Sequence, residues 1–513
     1  MSEDAENQEE VFGFLADPAT HGGHKVQRID THAASVFLAG DRAIKVKRAV
    51  RFPFLDYSTL AKRKQACEAE IAVNAPYAPE IYRGVVAITR EPSGKFAIGG
   101  AGTPAEWAVD MRRFDEKRTL DRITAEIDEA LADALGLAVA AAHAKAPAVN
   151  AEPWIAAIGA YIDEHSAAFA QHPDIFFPAT ANEALAHASR TTYERILPLL
   201  HEHGRRGFVR RIHGDLHLGN IVLIDGKPVL FDAIEFSDII ASGDVFYDLA
   251  FLLMDLLERG LAPAANMALN RYLTQTRRAE NLDALATLPF FLAMRAAIRA
   301  KVTAARLERA READRPPIAR AARAYFDFAM RAITPPRPVF AAVGGLSGTG
   351  KSGLARMLAP ALEPMPGAVV VRSDVERKAL FALDETEKLP STAYAEEVNT
   401  RVYATLGDKA QRIAAAGHSV IVDAVFAKPE ERAAIAEAAR SARLPLQGLF
   451  LTADTATRLR RVRSRIRDAS DADAAVAQAQ ERYELGHVEW ATVDASGTPA
   501  ATLGHAKAAL HRP

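Results

Sequence analysis

His213-Gly-Asp-Leu-His-Leu-Gly-Asn220 runs directly into Ile221-Val-Leu-Ile224, an Asp225-Gly226 pair and Val229-Leu-Phe-Asp232. Two apolar runs flanking Asp-Gly read as a β-hairpin. Its ends then lie side by side, bringing Asp215 and Asn220 on the entering loop next to Asp232 on the returning strand. Two carboxylates and an amide present oxygen ligands, which suits magnesium held beside a triphosphate. Asp215 is then free to accept the proton of an attacking hydroxyl.

Toward the N-terminus, residues 24–100 carry short β-rich runs. Ser35-Val-Phe-Leu38 and Arg42-Ala-Ile-Lys-Val-Lys47 are split by Gly40-Asp41, which predicts another hairpin. Strand period two puts Lys45 and Lys47 on one face. From about residue 115, alanine- and leucine-rich helical patterns take over, broken at 209–236 by the hairpin. The layout is a small sheet lobe, then a larger helical lobe. Prolines 335, 336 and 338 stop the last helical run, itself interrupted at Pro316-Pro317, and mark a domain boundary.

Beyond that boundary, the apolar run Val339-Phe-Ala-Ala-Val343 leads into Gly345-Leu-Ser-Gly-Thr-Gly-Lys-Ser352, a complete Walker A sequence. Backbone N–H groups of Gly345, Ser347, Gly348, Thr349 and Gly350 would cradle phosphates, with Lys351 on the β/γ-phosphates and Ser352 on magnesium. Two later strands end in acids, Val369-Val-Val-Arg-Ser-Asp374 and Ser419-Val-Ile-Val-Asp423. In a parallel sheet both fall on the ligand side. Asp423 reads as a magnesium-side acid. Asp374 is either a substrate-binding acid or base, or a helix N-cap. The run Arg458-Leu-Arg-Arg-Val-Arg-Ser-Arg-Ile-Arg467 is either a solvated basic face or a lid, with Arg461 and Arg465 one helical turn apart.

The whole chain has 513 residues, 49% of them hydrophobic, with 63 lysines and arginines against 65 aspartates and glutamates. That length predicts two to four globular units, and the apolar share excludes a largely disordered chain. The net charge of −2 gives no global attraction to nucleic acid or to an anionic membrane. The single cysteine, Cys67, excludes an internal disulfide and a thiolate metal cluster, and points to a reducing, cytoplasmic setting. MSEDAENQEE, with five acidic residues and no basic one, is not a secretory leader and is expected to be a frayed, solvated segment. No charge-free apolar run is long enough to predict a membrane span.

The sequence HGDLHLGN followed by FDAIEF resembles the aminoglycoside phosphotransferase and choline kinase group, relatives of protein kinases. The resemblance implies Asp215 as the catalytic aspartate, Asn220 and Asp232 as the metal pair, and Asp244 and Asp248 as residues that hold the loop. Glu235 is a further acidic contact. Arg42-Ala-Ile-Lys45 resembles the strand whose lysine meets the α/β-phosphates. Lys47 stays open as the alternative, and Glu68 and Glu70 on a helix near 58–75 both fit the lysine's ion-pair partner, Glu70 being preferred. No G-x-G-x-x-G is present. Thr31-His-Ala-Ala-Ser35 stands there instead, so backbone N–H groups and Ser35 would contact phosphate.

The arginine run resembles the lid of small P-loop kinases such as gluconate kinase, the zeta toxins and polynucleotide kinases, implying catalytic roles for Asp374 and Arg465. Asp30-Thr-His32, Phe52-Pro-Phe-Leu-Asp-Tyr-Ser58 and the Ile-Glu-Phe after Asp232 resemble bacterial fusions of an aminoglycoside-phosphotransferase-like domain with a P-loop domain. The expected architecture is an α+β protein-kinase-like bilobal domain followed by an α/β P-loop domain with a parallel sheet. The expected division is an acidic leader (1–20), a kinase-like domain (21–334, its small lobe about 21–110 and its helical lobe about 111–334), a linker (335–338) and a P-loop domain (339–513).

The expected activity is transfer of phosphate from ATP, with Mg2+, to a small-molecule hydroxyl such as that of a sugar or sugar phosphate. Arg295 and Arg299, four apart on a helix, favour an anionic acceptor if they line the site. The competing readings are a ligand-binding kinase-like domain coupled to a nucleotide switch, and a nucleic-acid end kinase in the second half.

Overall fold

In the computed structural model, which describes residues 3–52, 55–176, 178–463 and 469–510, the acidic N-terminus is a helix, α1 (Glu3–Ala16). This corrects the expected frayed leader. Val11, Phe12 and Leu15 share one helical face and are fully or almost fully buried against Phe37, Ile44, Val46 and Ile88, while Glu9 and Glu10 stay in solvent. One apolar stripe outweighs the acidic composition.

That stripe covers a six-stranded antiparallel sheet. Its hairpin is β1 (Val26–Asp30), β2 (Ala34–Ala39) and β3 (Arg42–Lys47), with Gly40 at φ +55° in the β2–β3 turn. A short ribbon, β4 (Arg51–Phe52) and β5 (Leu55–Asp56), leads into helix α2 (Leu60–Asn74), capped by Thr59. Strands β6 (Tyr82–Arg90), β7 (Phe96–Ile98) and β8 (Thr103–Arg112) complete the order β1-β2-β3-β8-β6-β7. Lys45 of β3 is in register with Val36 on one side and Val109 on the other, so the sheet fixes it from both flanks.

Helices α3 (Glu129–Lys145), α4 (Glu152–Ala170) and α5 (Ala179–Arg205) follow. Strand β9 (Val209–Arg211) enters the functional loop, and β10 (Ile221–Ile224) and β11 (Lys227–Leu230) form the hairpin foreseen from Asp225-Gly226. Strand β12 (Ser242–Asp244) pairs antiparallel with β9 and opens helix α6 (Val245–Glu258). Contacts gather the first sheet, α1 to α3 and β9 to β12 into one compact unit, Met1–Asp163 with Leu197–Asp255, while the end of α4 and most of α5 fall in the other.

The second unit is Glu164–Ile196 with Leu256–Pro513. It holds α7 (Ala262–Thr276), α8 (Glu280–Asp283), α9 (Leu288–Ala305) and α10 (Arg315–Ile333). Pro316 and Pro317 lie in the first turn of α10, where proline costs no hydrogen bond, and so begin a helix rather than interrupt one. The helical stretch Glu280–Arg309 is long and apolar enough to cross a membrane by length and composition, yet 78% of its apolar 18-residue window is buried, as in the core helix of a globular protein. Arg295 is buried there, and Arg299 lies over the Tyr325 ring, so the anionic-acceptor argument loses its basis.

The second sheet is parallel, in the order β14-β15-β13-β16-β17. Its elements in chain order are β13 (Phe340–Gly345), α11 (Lys351–Leu358), β14 (Val369–Arg372), α12 (Ser373–Leu380), α13 (Glu396–Ala415), β15 (Val420–Asp423), α14 (Pro429–Ser441), β16 (Leu446–Thr452), α15 (Thr455–Arg463), α16 (Ala474–Ala479), β17 (Ala491–Asp494) and α17 (Pro499–Leu510). Ala341, Val343, Ile421, Leu449 and Leu451 bury their side chains with Leu354 and Leu358 of α11 and Ala506 of α17.

This unit does not begin at the prolines. Asn266 and Asn270 of α7 donate to Ala368 O at 3.0 and 3.2 Å, and Asn270 Oδ1 accepts from Val370 N at 2.7 Å. Asp283, the last residue of α8, pairs with Arg412 of α13 at 2.7 Å, and Arg271 with Glu385 at 3.0 Å. Residues 335–338 belong to no helix or strand, but the contacts run across that point.

Candidate active sites

In the first unit, the β10–β11 hairpin closes as its ends require. Phe231 N donates to Asn220 O at 3.0 Å, which sets Asn220 beside the residue preceding Asp232. Asn220 Nδ2 donates to Asp215 Oδ2 at 2.9 Å, and His217 Nε2 lies 3.4 Å from the same oxygen. Asp215 and Asp232 are both about half exposed, at 40% and 47% of their side chains, as groups that meet a substrate must be. The loop between them is pinned from below. Asp248 accepts from His213 N and Gly214 N at 3.0 Å each and lies 3.2 Å from His143 Nε2. Asp244 accepts from Phe246 N and pairs with buried His203. His213 reaches Phe231 O at 2.9 Å, and burial holds its imidazole below its usual pKa.

Asp232 has φ +61°, a left-handed conformation that needs support. Tyr82 Oη accepts its N–H at 3.1 Å, and Asn74 of α2 brackets the next residue, accepting from Ala233 N at 2.7 Å and donating to Ala233 O at 3.2 Å. Neither Asn74 nor Tyr82 was foreseen. The available signal was that Asn74 stands one helical turn after Glu70.

Both lysines reach the site. Lys45 Nζ lies 2.9 Å from Glu70 Oε1 and 2.8 Å from Asp232 Oδ1, and Lys47 Nζ lies 2.5 Å from Glu70 Oε2. Burial opposes ionisation of Glu70, but the two ammoniums outweigh it and hold the carboxyl at about 2. Burial likewise opposes the Lys45 charge, and Asp232 with Glu70 reverses this and raises it well above its ordinary value. Glu68 is half exposed and faces Lys64. Glu235, expected as a further acidic contact, is instead paired with Lys47 and accepts from Tyr57 Oη at 3.2 Å. Ser35 is a correction too. It is fully buried, and its hydroxyl donates to Asp30 Oδ1 at 2.7 Å, because strand alternation turns it away from the lysine face.

In the second unit, Gly345 to Ser352 bends between β13 and α11. Gly348 has φ +86°, and a Cβ there would sit 2.5 Å from Arg458 O, so only glycine fits. The loop is braced from outside. Arg458 is almost fully buried and donates to Ser347 O at 2.9 Å and Ala477 O at 3.0 Å. Arg461 donates to Thr349 O at 3.3 Å and Ala495 O at 2.8 Å. Gln480 Oε1 accepts from Ser347 N at 2.6 Å. Arg458 and Arg461 are therefore braces of the loop, whereas Arg460 and Arg463 stay exposed. Arg465 lies outside the described residues. Thr349 turns its hydroxyl onto Leu346 O at 2.8 Å, and Lys351 Nζ lies 3.2 Å from the same carbonyl.

The loop opens on a cavity of about 780 Å³ whose wall includes Lys351, Ser352, Asp374, Arg377 and Asp423. Asp423 ends β15 and is 4% exposed, with Arg372 Nε 3.3 Å away. Asp374 lies in the first turn of α12, not at its N-cap, which is Arg372. Burial raises its carboxyl above the ordinary range, and the nearby Asp423 adds to this against Arg372 and Lys351. Arg377, buried on α12, donates to Ala393 O at 2.8 Å and stacks on the Tyr394 ring at 5.1 Å.

For Mg2+ the donor sets fit its habit of keeping waters and substrate phosphates around one or two protein oxygens. The described residues contain no cluster of three or more His, Cys, Asp or Glu side chains placed to hold a metal alone. Asn220 and Asp232 would hold it in the first site, and Ser352 with Asp423 in the second.

Such parts, present twice, define a chain with two kinase-type domains. Residues 31–286 match the phosphotransferase enzyme family, and residues 341–485 match an AAA-domain family of P-loop proteins, so the chain joins a phosphotransferase domain to a P-loop kinase domain. It is 29% identical over 490 residues to an uncharacterized protein of Mycobacterium tuberculosis strain H37Rv, covering 93% of this chain and 94% of that one. A choline/ethanolamine kinase family protein from Mesorhizobium loti is similar over 64% of this chain and 99% of its own, at 16% identity and a TM-score of 0.38. A gluconokinase from Sinorhizobium meliloti is similar over 34% and 91%, at 22% identity and a TM-score of 0.26.

Proposed function

We propose that each half transfers the γ-phosphoryl group of ATP to a hydroxyl of a small molecule, with Mg2+ and in the cytoplasm. The observation that carries this is the pairing of a half-exposed Asp215 with Asn220 beside Asp232, under a lysine held by buried Glu70. A module that only binds a ligand has no use for a positioned carboxylate base.

In the first half, Asp215 accepts the hydroxyl proton as the acceptor oxygen bonds to the γ-phosphorus and the bond to the bridging oxygen breaks, releasing ADP. Lys45 turns from Asp232 to the α/β-phosphates. Asn220 and Asp232 would hold Mg2+, which when bound would neutralise phosphate charge. In the second half, the loop N–H groups and Lys351 hold phosphate, and Asp374, kept basic by burial, takes the acceptor proton. Arg465 is the proposed cation for the transferring group. A cavity of about 780 Å³ matches the span typical of small-ligand pockets.

The test is transfer of label from γ-labelled ATP by the full chain to sugars, sugar phosphates, aminoglycosides or oligonucleotides. Labelling of a small hydroxyl compound, reduced by Asp215→Asn or by Lys351→Ala, is the expected result. Labelling of oligonucleotide ends alone, or of nothing, overturns the proposal.

A further inference from the structure

Lys45 and Lys47 share one face of β3 but have different surroundings. Lys45 bridges Glu70 and Asp232 with its side chain 15% exposed. Lys47, at 3%, bridges Glu70 and Glu235, and its ammonium lies 5.5 Å from the Tyr57 ring. Glu70 thus gives one carboxylate oxygen to each lysine. Two ammoniums face three carboxylates, and the carboxylate in excess is at the open end, on half-exposed Asp232.

Asp232 holding a divalent cation would compete with its own pairing to Lys45, whose ammonium would then be free to reach phosphate. Glu70 is wholly buried and would then share Lys45 with the nucleotide phosphates, which leaves Lys47 as its fixed cation. A buried carboxylate left without a cation takes up a proton or shifts. Lys47 cannot follow Lys45, because Glu235, Tyr57 and the sheet enclose it.

We propose that Lys47 is a second positioning lysine of the first half. It keeps Glu70 ionised and in place while Lys45 passes between Asp232 and the nucleotide, and through Glu235 it ties the segment after Asp232 to β3. This rests on the reading of that half as an ATP- and Mg2+-dependent kinase.

The test uses the full chain carrying Lys351→Ala, so that turnover reports the first half, with AMPPNP as the calorimetric binding probe, with and without Mg2+. Lys47→Met should bind metal-free AMPPNP within about threefold of the parent yet lose about tenfold or more in kcat for ATP, the mark of a misplaced catalytic group. The double variant Lys47→Met with Glu235→Met removes the outer pair together, which restores folding if the single change harms it. It should remain as slow as the single variant, because Glu70 still lacks its fixed cation.

Recovery of the parent kcat in the double variant overturns the proposal, since Lys47 would then serve only to neutralise Glu235. Loss of folding in both variants overturns it as well, by making the role structural. A parent that binds no AMPPNP, or a Lys45→Met variant that turns over like the parent, removes the kinase reading itself. A working parent that loses turnover with Lys45→Met but keeps it with Lys47→Met removes this proposal alone.

Discussion

Asn270, on a helix of the helical segment, pairs its carboxamide with the backbone of Val370, a hundred residues later on the edge strand of the parallel sheet. Its Oδ1 takes the Val370 N–H, and its Nδ2 reaches Ala368 O, as a neighbouring strand would. An open strand edge is prone to pair with other chains. Here a helix covers part of it, and the covered strand leads directly to Asp374.

A cut at the proline-rich joint should therefore give a poor second fragment. Residues 339–513 alone should aggregate or melt without cooperativity, whereas 256–513, which restores the α7 and α8 contacts, should aggregate less and melt at a higher temperature. Calorimetry and light scattering of the two fragments decide the matter. In the full chain, Asn270→Ala should cost about 1–3 kcal/mol, the price of an unpaired buried backbone group.

Asp215→Asn should lower phosphotransfer by the first half about 10²–10⁴-fold while leaving nucleotide affinity nearly unchanged, because the base is lost and the metal ligands remain. The measurement is kcat and AMPPNP affinity in a full chain carrying Lys351→Ala. Parent-like turnover would contradict the role given to Asp215.

Glu70 sets a pH signature. Its carboxyl is held at about 2 in the fold against an ordinary 4.5. A lowered acid stabilises the fold above its unfolded value and loses that contribution as pH falls through the folded one. Glu70→Gln should therefore be less stable than the parent by about 3–5 kcal/mol at neutral pH, as for a broken buried ion pair. The gap should stay level down to about pH 5 and close toward pH 2. Denaturant titrations at successive pH values read it directly, and a gap that widens in acid would be inconsistent with this pairing.

Asp374 has the opposite sign. Burial raises its carboxyl, so as a base it is lost at a higher pH than an ordinary carboxylate when the medium is acidified. The acid limb of kcat for the second half should lie above the usual carboxylate range. Asp374→Asn should abolish that limb along with most turnover, while AMPPNP affinity changes by less than about threefold. A nucleotide sensor would keep its turnover in this variant.

Much of this was legible from residue order because it is local. An Asp-Gly pair between apolar runs makes a hairpin wherever it occurs, and the hairpin alone sets Asn220 beside Asp232. The Walker A glycines likewise dictate a loop between β13 and α11, and the expected parallel sheet follows. Ser35, Glu235 and the N-terminus were misread for a different reason. Each has a local pattern compatible with two environments, and the choice was made by a distant partner: Asp30 across a strand pair for Ser35, Lys47 for Glu235, and the sheet core for Val11, Phe12 and Leu15.

The sequence by itself determined which chemistry each half carries, because backbone conformation and ligand type are properties of a few consecutive residues. Only the tertiary structure decided how that chemistry is supported. It gave Glu70 to both lysines, set Asn74 and Tyr82 under Asp232, turned Arg458 and Arg461 into braces for the phosphate loop, and placed α7 on the edge of the second sheet. Those pairings depend on which buried polar group finds a partner far along the chain. Burial makes an unmatched charge or amide costly, so folding must resolve them, and no local pattern encodes the solution.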